Sequence, residues 1–302
     1  MHTPKSPFQN RLLAALPDDA RQRIVPALEY VPLPLGRVLY ESGDVLKHVY
    51  FPTDAIVSLL YVMENGASAE ISVVGNEGLV GIALLTGGDS TTSRALVQSG
   101  GFAYRLPAQQ IKDEFARHGD LQRLALRYIQ CLMTQMAQTA ACNRHHSIDQ
   151  QLCRWLLLSL DRLPDNQLTM TQGLIANMLG VRREGVTEAA GRLMKLKAIE
   201  YSRGRITVLD RPLVERLSCE CYAVVRRETD RILPPMPTDA AHEGVPNNAP
   251  NNAPNNAHNI ATRNRIRACA QRAAPTRQIA LPTSSATSSA PLRSSVTPTG
   301  RP

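Results

Sequence analysis

The sequence predicts an α+β chain, with its strands first and most of its helices later. Three observations lead there. Between residues 32 and 107, short β-type runs alternate with glycine turns. From about residue 108 to residue 141 a long helical period takes over. Two short helical patterns then flank Gly180, and an alternating pattern with a basic tip follows them. The expected parts are an antiparallel β-roll or jelly-roll over 8–115, a long helix over 116–145, a helical domain with a hairpin over 146–233, and a disordered tail over 234–302.

Residues 8–30 suggest a short helix with Leu12, Leu13, Leu16 and Ile24 on its apolar side. The β-type runs are 37–40, 48–51, 55–62, 70–74, 94–97 and 102–106. Turn residues at Gly36, Gly43, Asn65-Gly66, Gly75, Gly87-Gly88 and Gly100-Gly101 separate them, which is the spacing of a small antiparallel sandwich or barrel. In the long helical run, Leu121, Leu124, Tyr128, Leu132, Gln135 and Thr139 fall roughly at heptad a and d positions, with Ala125, Ile129 and Met136 beside them. A long apolar stripe needs a partner surface. A dimer seam is the favoured reading, and a helix buried in its own domain is the alternative. A further helix over 148–163 presents Leu152, Trp155, Leu156 and Leu160 as a core face.

Residues 168–208 carry the most information. Thr169 with Gln172 fits a capping box, and Thr171 is an alternative cap. Leu174, Ile175, Met178 and Leu179 hold helical spacing. Gly180 suits the left-handed conformation that ends a helix. The next helix has an apolar face of Val186, Ala189, Ala190 and Leu193. Its other face, near the N-terminus, carries Arg182, Arg183, Glu184, Thr187 and Glu188. A helix that enters the DNA major groove meets base edges with its first turns. Arginine offers paired donors to guanine, glutamate accepts from the cytosine amino group, and threonine suits a thymine methyl or a phosphate. Ile199, Tyr201, Ile206 and Val208 then alternate around Ser202-Arg203-Gly204-Arg205, a hairpin that sets Arg203 and Arg205 against phosphates.

A helix–glycine–helix pattern alone is weak support, because any solvated helix pair shows it. Joined to the Arg-Arg-Glu start and the basic hairpin, it reads as a winged helix-turn-helix that binds double-stranded DNA. The candidate DNA-binding residues are Thr171, Arg182, Arg183, Glu184, Thr187, Glu188, Arg203 and Arg205.

The net charge of +8 is unevenly placed. Residues 234–302 hold seven arginines, no lysine and only Asp239 and Glu243 as acids, so most of the excess lies there. That stretch repeats Pro-Asn-Asn-Ala three times and has no aromatic residue. Such a composition does not bury enough surface to offset chain entropy. Its arginine cluster at 263–267 is either a weak, salt-sensitive DNA contact or part of an inert tail. Met1 to Phe8 contain no apolar leader core, and no apolar run approaches the ~20 residues that span a bilayer. A soluble cytoplasmic chain without a membrane partner is expected.

Six cysteines (Cys131, Cys142, Cys153, Cys219, Cys221 and Cys269) are scattered without zinc-type spacing. Cys219-Glu220-Cys221 is closer than a common zinc half-site. Reduced structural thiols are expected, with no metal and no cofactor.

Strand domain, long helix and winged helix-turn-helix in this order resemble the Crp/Fnr superfamily of bacterial transcription regulators, over about residues 10–233. The most specific part is Gly180-Val181-Arg182-Arg183-Glu184-Gly185-Val186, which is similar to the family's turn and recognition-helix start. Residues 202–210 look like its wing. Cys219-Glu220-Cys221-Tyr222 and the following helix look like one subgroup. The resemblance implies a homodimer joined through the long helix, one recognition helix per half of a pseudo-palindromic site, and RNA polymerase as a partner. It sets Arg183 and Glu184 at base-contacting positions. Glu188 stands where the cyclic-AMP receptor protein carries an arginine, which implies a different preferred site.

A nucleotide pocket of this family has Gly-Glu-Leu, whose glutamate holds the ribose, and a later arginine for the phosphate. Here Gly81 is followed by Ile82, Arg94 is out of step, and Glu77 is the nearest substitute. The resemblance therefore implies a cyclic-nucleotide-binding-like sensor that does not use the usual cyclic-AMP contacts, and its effector is unassigned. A family-type iron–sulfur cluster is excluded, because no cysteine precedes Cys131. His48, His118, His145 and His146 are open as haem ligands, with ordinary packing or surface roles favoured. No P-loop, nucleophile elbow or zinc-protease pairing supports an enzyme. The competing reading is a ligand- or protein-binding module with a vestigial DNA-binding domain.

Overall fold

The structure is a computed structural model that describes residues 5–163 and 165–235. The expected tail, with its arginine cluster, lies outside the described residues from 236 onward.

Two short helices, α1 (Arg11–Ala14) and α2 (Asp18–Ile24), stand where one was expected. Buried Asn10 caps α1 with its side-chain oxygen, and its amide donates to the carbonyls of Pro52 (3.0 Å) and Gly78 (2.8 Å). Seven strands follow: β1 (Glu29–Leu33), β2 (Val38–Tyr40), β3 (His48–Pro52), β4 (Ile56–Val62), β5 (Ser68–Val74), β6 (Arg94–Ser99) and β7 (Gly101–Pro107). They pair antiparallel in two sheets, ordered β1-β7-β3 and β2-β6-β4-β5. Each expected β-type run has its strand. β1 is the exception, because its Pro32 and its place beside a helical stretch hid it. It lies at a sheet edge, where proline's missing N–H costs no central ladder bond.

The long helical run divides into α3 (Ala108–Phe115) and α4 (Asp120–His145). His118 at φ 58° and Gly119 make the break. Leu121, Leu124, Tyr128, Leu132, Gln135 and Thr139, the stripe expected at a dimer seam, are buried within the chain. They face the β-roll core and the last helix, so the alternative reading holds for that face. Tyr128 lies so close to Gly78 that a Cβ there would overlap its ring. Gln135 behaves like a strand: its oxygen accepts from Val73 N at 2.7 Å, and its amide donates to Val73 O at 3.2 Å. What α4 leaves exposed is a different stripe, Leu126, Met133, Ala137 and Ala140.

A capping box of Ser147 and Gln150 starts α5 (Ile148–Leu160). Every residue from Gln151 to Leu160 is buried. One side of α5 packs on Ile56, Leu60 and Val73 of the second sheet, and the other on the helix-turn-helix. The remaining elements are β8 (Gln167–Thr169), α6 (Gln172–Leu179), α7 (Arg183–Lys195), β9 (Ile199–Ser202), β10 (Arg205–Val208), α8 (Arg211–Leu217) and α9 (Glu220–Ile232). The three strands form a small sheet ordered β8-β10-β9. Among the described residues no helix is long and apolar enough to cross a membrane.

A polar chain is buried where α5 meets the sheet. Ser58 Oγ lies 2.6 Å from both Glu70 Oε2 and Gln98 Oε1, and Gln98 donates to Ser159 Oγ at 3.0 Å. Ser58 has one proton for two acceptors, so a protonated Glu70 completes the chain by donating. Burial pushes the Glu70 carboxyl from its usual 4.5 up to about 7, against the opposing pull of Ser58, Arg154 and Arg162.

A carboxyl raised in the folded state binds its proton more tightly than in the unfolded chain. Its contribution is fully present below pH 4.5 and is lost as pH rises to about 7. The loss across that window is about 3 kcal/mol. Glu70→Gln keeps a donor and removes the titration. Urea unfolding at pH 5 and pH 8 should show a smaller fall in stability for the variant. Equal falls in both proteins would mean that Glu70 does not titrate in this window.

Candidate nucleic-acid interface

Thr171 caps α6: its side chain accepts from Leu174 N at 3.3 Å. Thr169 does not, because it is the end of β8 and pairs with Arg205. Gly180 at φ 65° ends α6, and its N–H bonds Ala176 O. The chain turns through Val181 and extended Arg182 into α7. Ile175, Met178 and Leu179 of α6 meet Val186, Ala189 and Leu193 of α7 in one core. A Cβ at Gly185 would lie 2.7 Å from Ile148, so α7 packs directly on the start of α5.

Each expected DNA-binding residue has a distinct setting. Thr187 Oγ1 lies 2.8 Å from Gln172 Oε1 and 3.0 Å from Arg183 O, so its hydroxyl clasps the two helices together. Glu188 is exposed and lies 3.7 Å from Arg192, which is itself held by Asp149 at 2.6 Å. Arg182, Arg183 and Glu184 are exposed on the first turn of α7. The β9–β10 turn sets Ser202 opposite Arg205, with Arg203 at φ 51° and Gly204 at φ 77°. Two successive positive φ values fit the two-residue turn that matches strand twist. Tyr201 anchors the hairpin by donating to Met170 O at 2.8 Å.

Thr171, Arg183 and Arg203 line one groove between α6, α7 and the hairpin tip, with Gln172, Met194 and Tyr201. Arg205 is apart from them and lines a cleft with Asp54 and Asp165. The arginines of this domain divide into paired and unpaired ones, and exposed Arg216 and Arg227, away from this face, are also without a carboxylate among the described residues. Arg192, Arg211, Arg226 and Arg231 each pair with a carboxylate. Among the described residues no carboxylate pairs with Arg182, Arg183, Arg203 or Arg205. Unpaired guanidinium groups on a helix start and a hairpin tip form an anion-seeking surface.

The residues weighed for a nucleotide pocket are engaged elsewhere. Glu77 accepts from Arg162 at 2.7–2.8 Å, and both side chains are nearly buried (13% and 8% exposed). Its other oxygen accepts from Gly75 N at 3.1 Å. Arg94 donates to Glu41 at 2.6 Å. Gly81 at φ 103° leads into a 3₁₀ turn (Ile82–Leu84), and Ile82 packs against the β-roll core.

Three of the cysteines that are scattered along the chain come together in space, while Cys131 and Cys153 lie in the two larger cores. Cys142, Cys219 and Cys221 are buried together, with His146 beside them. Cys142 Sγ lies 3.5 Å from Cys219 Sγ, and Cys221 Sγ lies 3.6 Å from His146 Nδ1. Donation from the Cys142 thiol lowers Cys219 from the ordinary thiol range, and the same contact raises Cys142. Pair spacing missed this group because Cys142 and Cys219 are 77 residues apart. The repeated cysteines at the start of the last helix were the available clue.

A family model described as a cyclic nucleotide-binding domain matches residues 30–118, and one described as a Crp-like helix-turn-helix domain matches residues 150–217. Together they span just over half the chain. No significant match is found among curated protein sequences. Among solved structures, the chain is similar to a Crp/Fnr-family regulator from Eubacterium rectale (16% identity, TM-score 0.56, covering 69% of this chain and 98% of that one). It is also similar to FixK2 from Bradyrhizobium japonicum (13%, TM-score 0.54, 64% and 98%). A third is TTHB099, a CRP-family regulator from Thermus thermophilus (17%, TM-score 0.52, 62% and 96%). At these identities the structural likeness is one of fold. With the two matched domains in their order and the observed architecture, the chain belongs to the Crp/Fnr family of transcription regulators.

Proposed function

We propose that the chain acts as a homodimer that binds a pseudo-palindromic DNA site in a sequence-specific way. The observation that carries this is the set of unpaired arginines on the first turn of α7 and the hairpin tip. Arg183 and Glu184 read base edges and Arg182 and Arg203 hold phosphates, whereas Arg205, in its cleft with Asp54 and Asp165, stands apart from that face. Thr187 acts mainly by fixing α7 against α6, and Thr171 by ordering the start of α6.

The dimer forms through the outer stripe of α4. Leu126 and Met133, a heptad apart, are 52% and 59% exposed while the opposite face of the helix is already filled. A second copy of α4 covers this stripe and spaces two recognition helices for two half-sites. Glu77 and Arg94 are committed to ion pairs, so the strand domain senses something other than cyclic AMP held by the usual contacts. RNA polymerase is the natural protein partner, the cytoplasm the natural location, and catalysis plays no part. The vestigial-module reading fits less well, because α6, α7 and the hairpin keep a complete core and an unopposed basic face.

Fluorescence anisotropy with the protein's own upstream DNA against scrambled duplex, across a salt series, tests the reading. Tight and salt-sensitive preference for the upstream DNA is expected, and equal weak binding to both duplexes would count against it. Arg183→Ala should cost about 1–3 kcal/mol of specific binding and relax base choice at one position. Arg203→Ala should weaken all duplexes alike and reduce the salt slope by about 1. Met133→Glu should shift the chain to a monomer in sedimentation velocity, and a dimer that survives it would place the interface elsewhere.

A further inference from the structure

We propose that Cys142, His146, Cys219 and Cys221 form a tetrahedral site for a thiophilic divalent metal, zinc foremost. One ligand atom from each residue lies within 4.8 Å of all the others. Around a tetrahedral zinc, with Zn–S near 2.3 Å and Zn–N near 2.05 Å, sulfurs sit about 3.8 Å apart and a sulfur–nitrogen edge is about 3.6 Å. The Cys142–Cys219 separation is 3.5 Å and the Cys221–His146 Nδ1 separation is 3.6 Å. Two of the six edges thus already have tetrahedral length, and the other four, all within 4.8 Å, need to close by about 1 Å at most.

The chain supplies the ligands in a fixed way. Cys142 and His146 lie one helical turn apart at the end of α4, on the same face. The His146 N–H donates to Cys142 O at 3.0 Å, and Gln151 donates to His146 O at 2.9 Å. Cys219 is the N-cap of α9, and Cys221 lies in its first turn. Helix N-termini favour the thiolates that a metal requires.

A second observation is independent of the sulfur cluster. His146 Nε2 lies 3.4 Å from Glu220 Oε2, while Nδ1 faces the sulfurs. The carboxylate lies near that nitrogen without a hydrogen bond to it, and closing to one would fix the ring and its tautomer as around metal-bound histidines. Arg154, 4% exposed, is close enough to act electrostatically on Cys142 and Cys221. Three thiolates and a neutral imidazole around a divalent ion carry a net charge of about −1, and a buried guanidinium offsets it. A Cys142–Cys219 disulfide would leave Cys221 and the oriented histidine without a role. With all four positions filled by protein, the site is structural. It ties the end of the long helix to the start of the last one, across the junction at Ser147.

Cobalt titration of the reduced, metal-stripped full chain reads the site directly. Thiolate-to-cobalt charge-transfer bands and intense tetrahedral d–d bands are expected to saturate at about one ion per chain, and zinc should bleach them. Cys219→Ser and Cys221→Ser should remove this signature, whereas Cys153→Ser, a buried cysteine outside the group, should keep it. Glu220→Gln should weaken binding roughly 10–100-fold. The wild-type titration needs no variant to fold. Absence of the charge-transfer bands in reduced wild-type protein overturns the proposal, as does an unchanged signature in Cys219→Ser. Reduction of a Cys142–Cys219 disulfide with no metal uptake afterwards overturns it as well.

Discussion

The structure depends on the burial of one helix. α5 is enclosed along Gln151 to Leu160, between the second β-roll sheet and the helix-turn-helix. Trp155, Leu152, Leu156 and Leu157 each remove a large apolar side chain from water, an effect of about 1.5–3 kcal/mol apiece. α6 shares this core and also packs directly on β5, where a Cβ at Gly180 would lie 3.3 Å from Ala69. The recognition helix is placed by the burial of α5 at second hand, because Gly185 lets α7 sit directly on the first turn of α5.

Burying such a helix is costly where its polar groups are stranded, and the chain partners several of them while Gln151 Oε1, Arg154 Nε and Trp155 Nε1 have no hydrogen-bond partner. Arg162 meets Glu77, Ser159 meets Gln98, and Arg154 reaches Thr139 at 3.3 Å. A buried ion pair adds little net stability compared with apolar packing, but breaking one costs about 3–5 kcal/mol. Glu77–Arg162 therefore works as a register device more than as glue. It also decides a functional question. The carboxylate nearest to a ribose-binding role is held by Arg162 where α5 ends, so it is not free to take that role in this arrangement.

The sequence displayed the parts whose physics is local. Gly180, the apolar spacing of Ile175 and Val186, and the Arg203-Gly204 turn were all readable, because each rests on neighbours a few residues away. What it concealed was set by distant packing. Thr169 and Thr171 both fit a cap, and only the pairing of Thr169 with Arg205 decides between them. The heptad stripe of α4 was correctly seen as needing a partner, but a helix pattern does not say whether the partner is β5 and α9 or a second chain. Thr187 was legible as exposed, whereas its bond to Gln172 depends on how two helices cross. The cysteine group escaped for the same reason, since its halves come from helices that meet only after folding.

These placements constrain how the DNA-binding face moves relative to the long helix. The junction at Ser147 has a capping box on its C-terminal side, which fixes where α5 begins. On its N-terminal side, His146 is bonded through its backbone to Cys142 and through its carbonyl to Gln151. α9 packs back on α4 and brings Cys219 and Cys221 to the same spot. A swing of the recognition helix about Ser147 therefore separates the two halves of the cysteine group or carries α9 and the end of α4 along as one body. In the second case the contacts that have to give lie where α5 and α6 meet the second sheet, among them the Ser58–Glu70–Gln98–Ser159 chain and the Glu77–Arg162 pair.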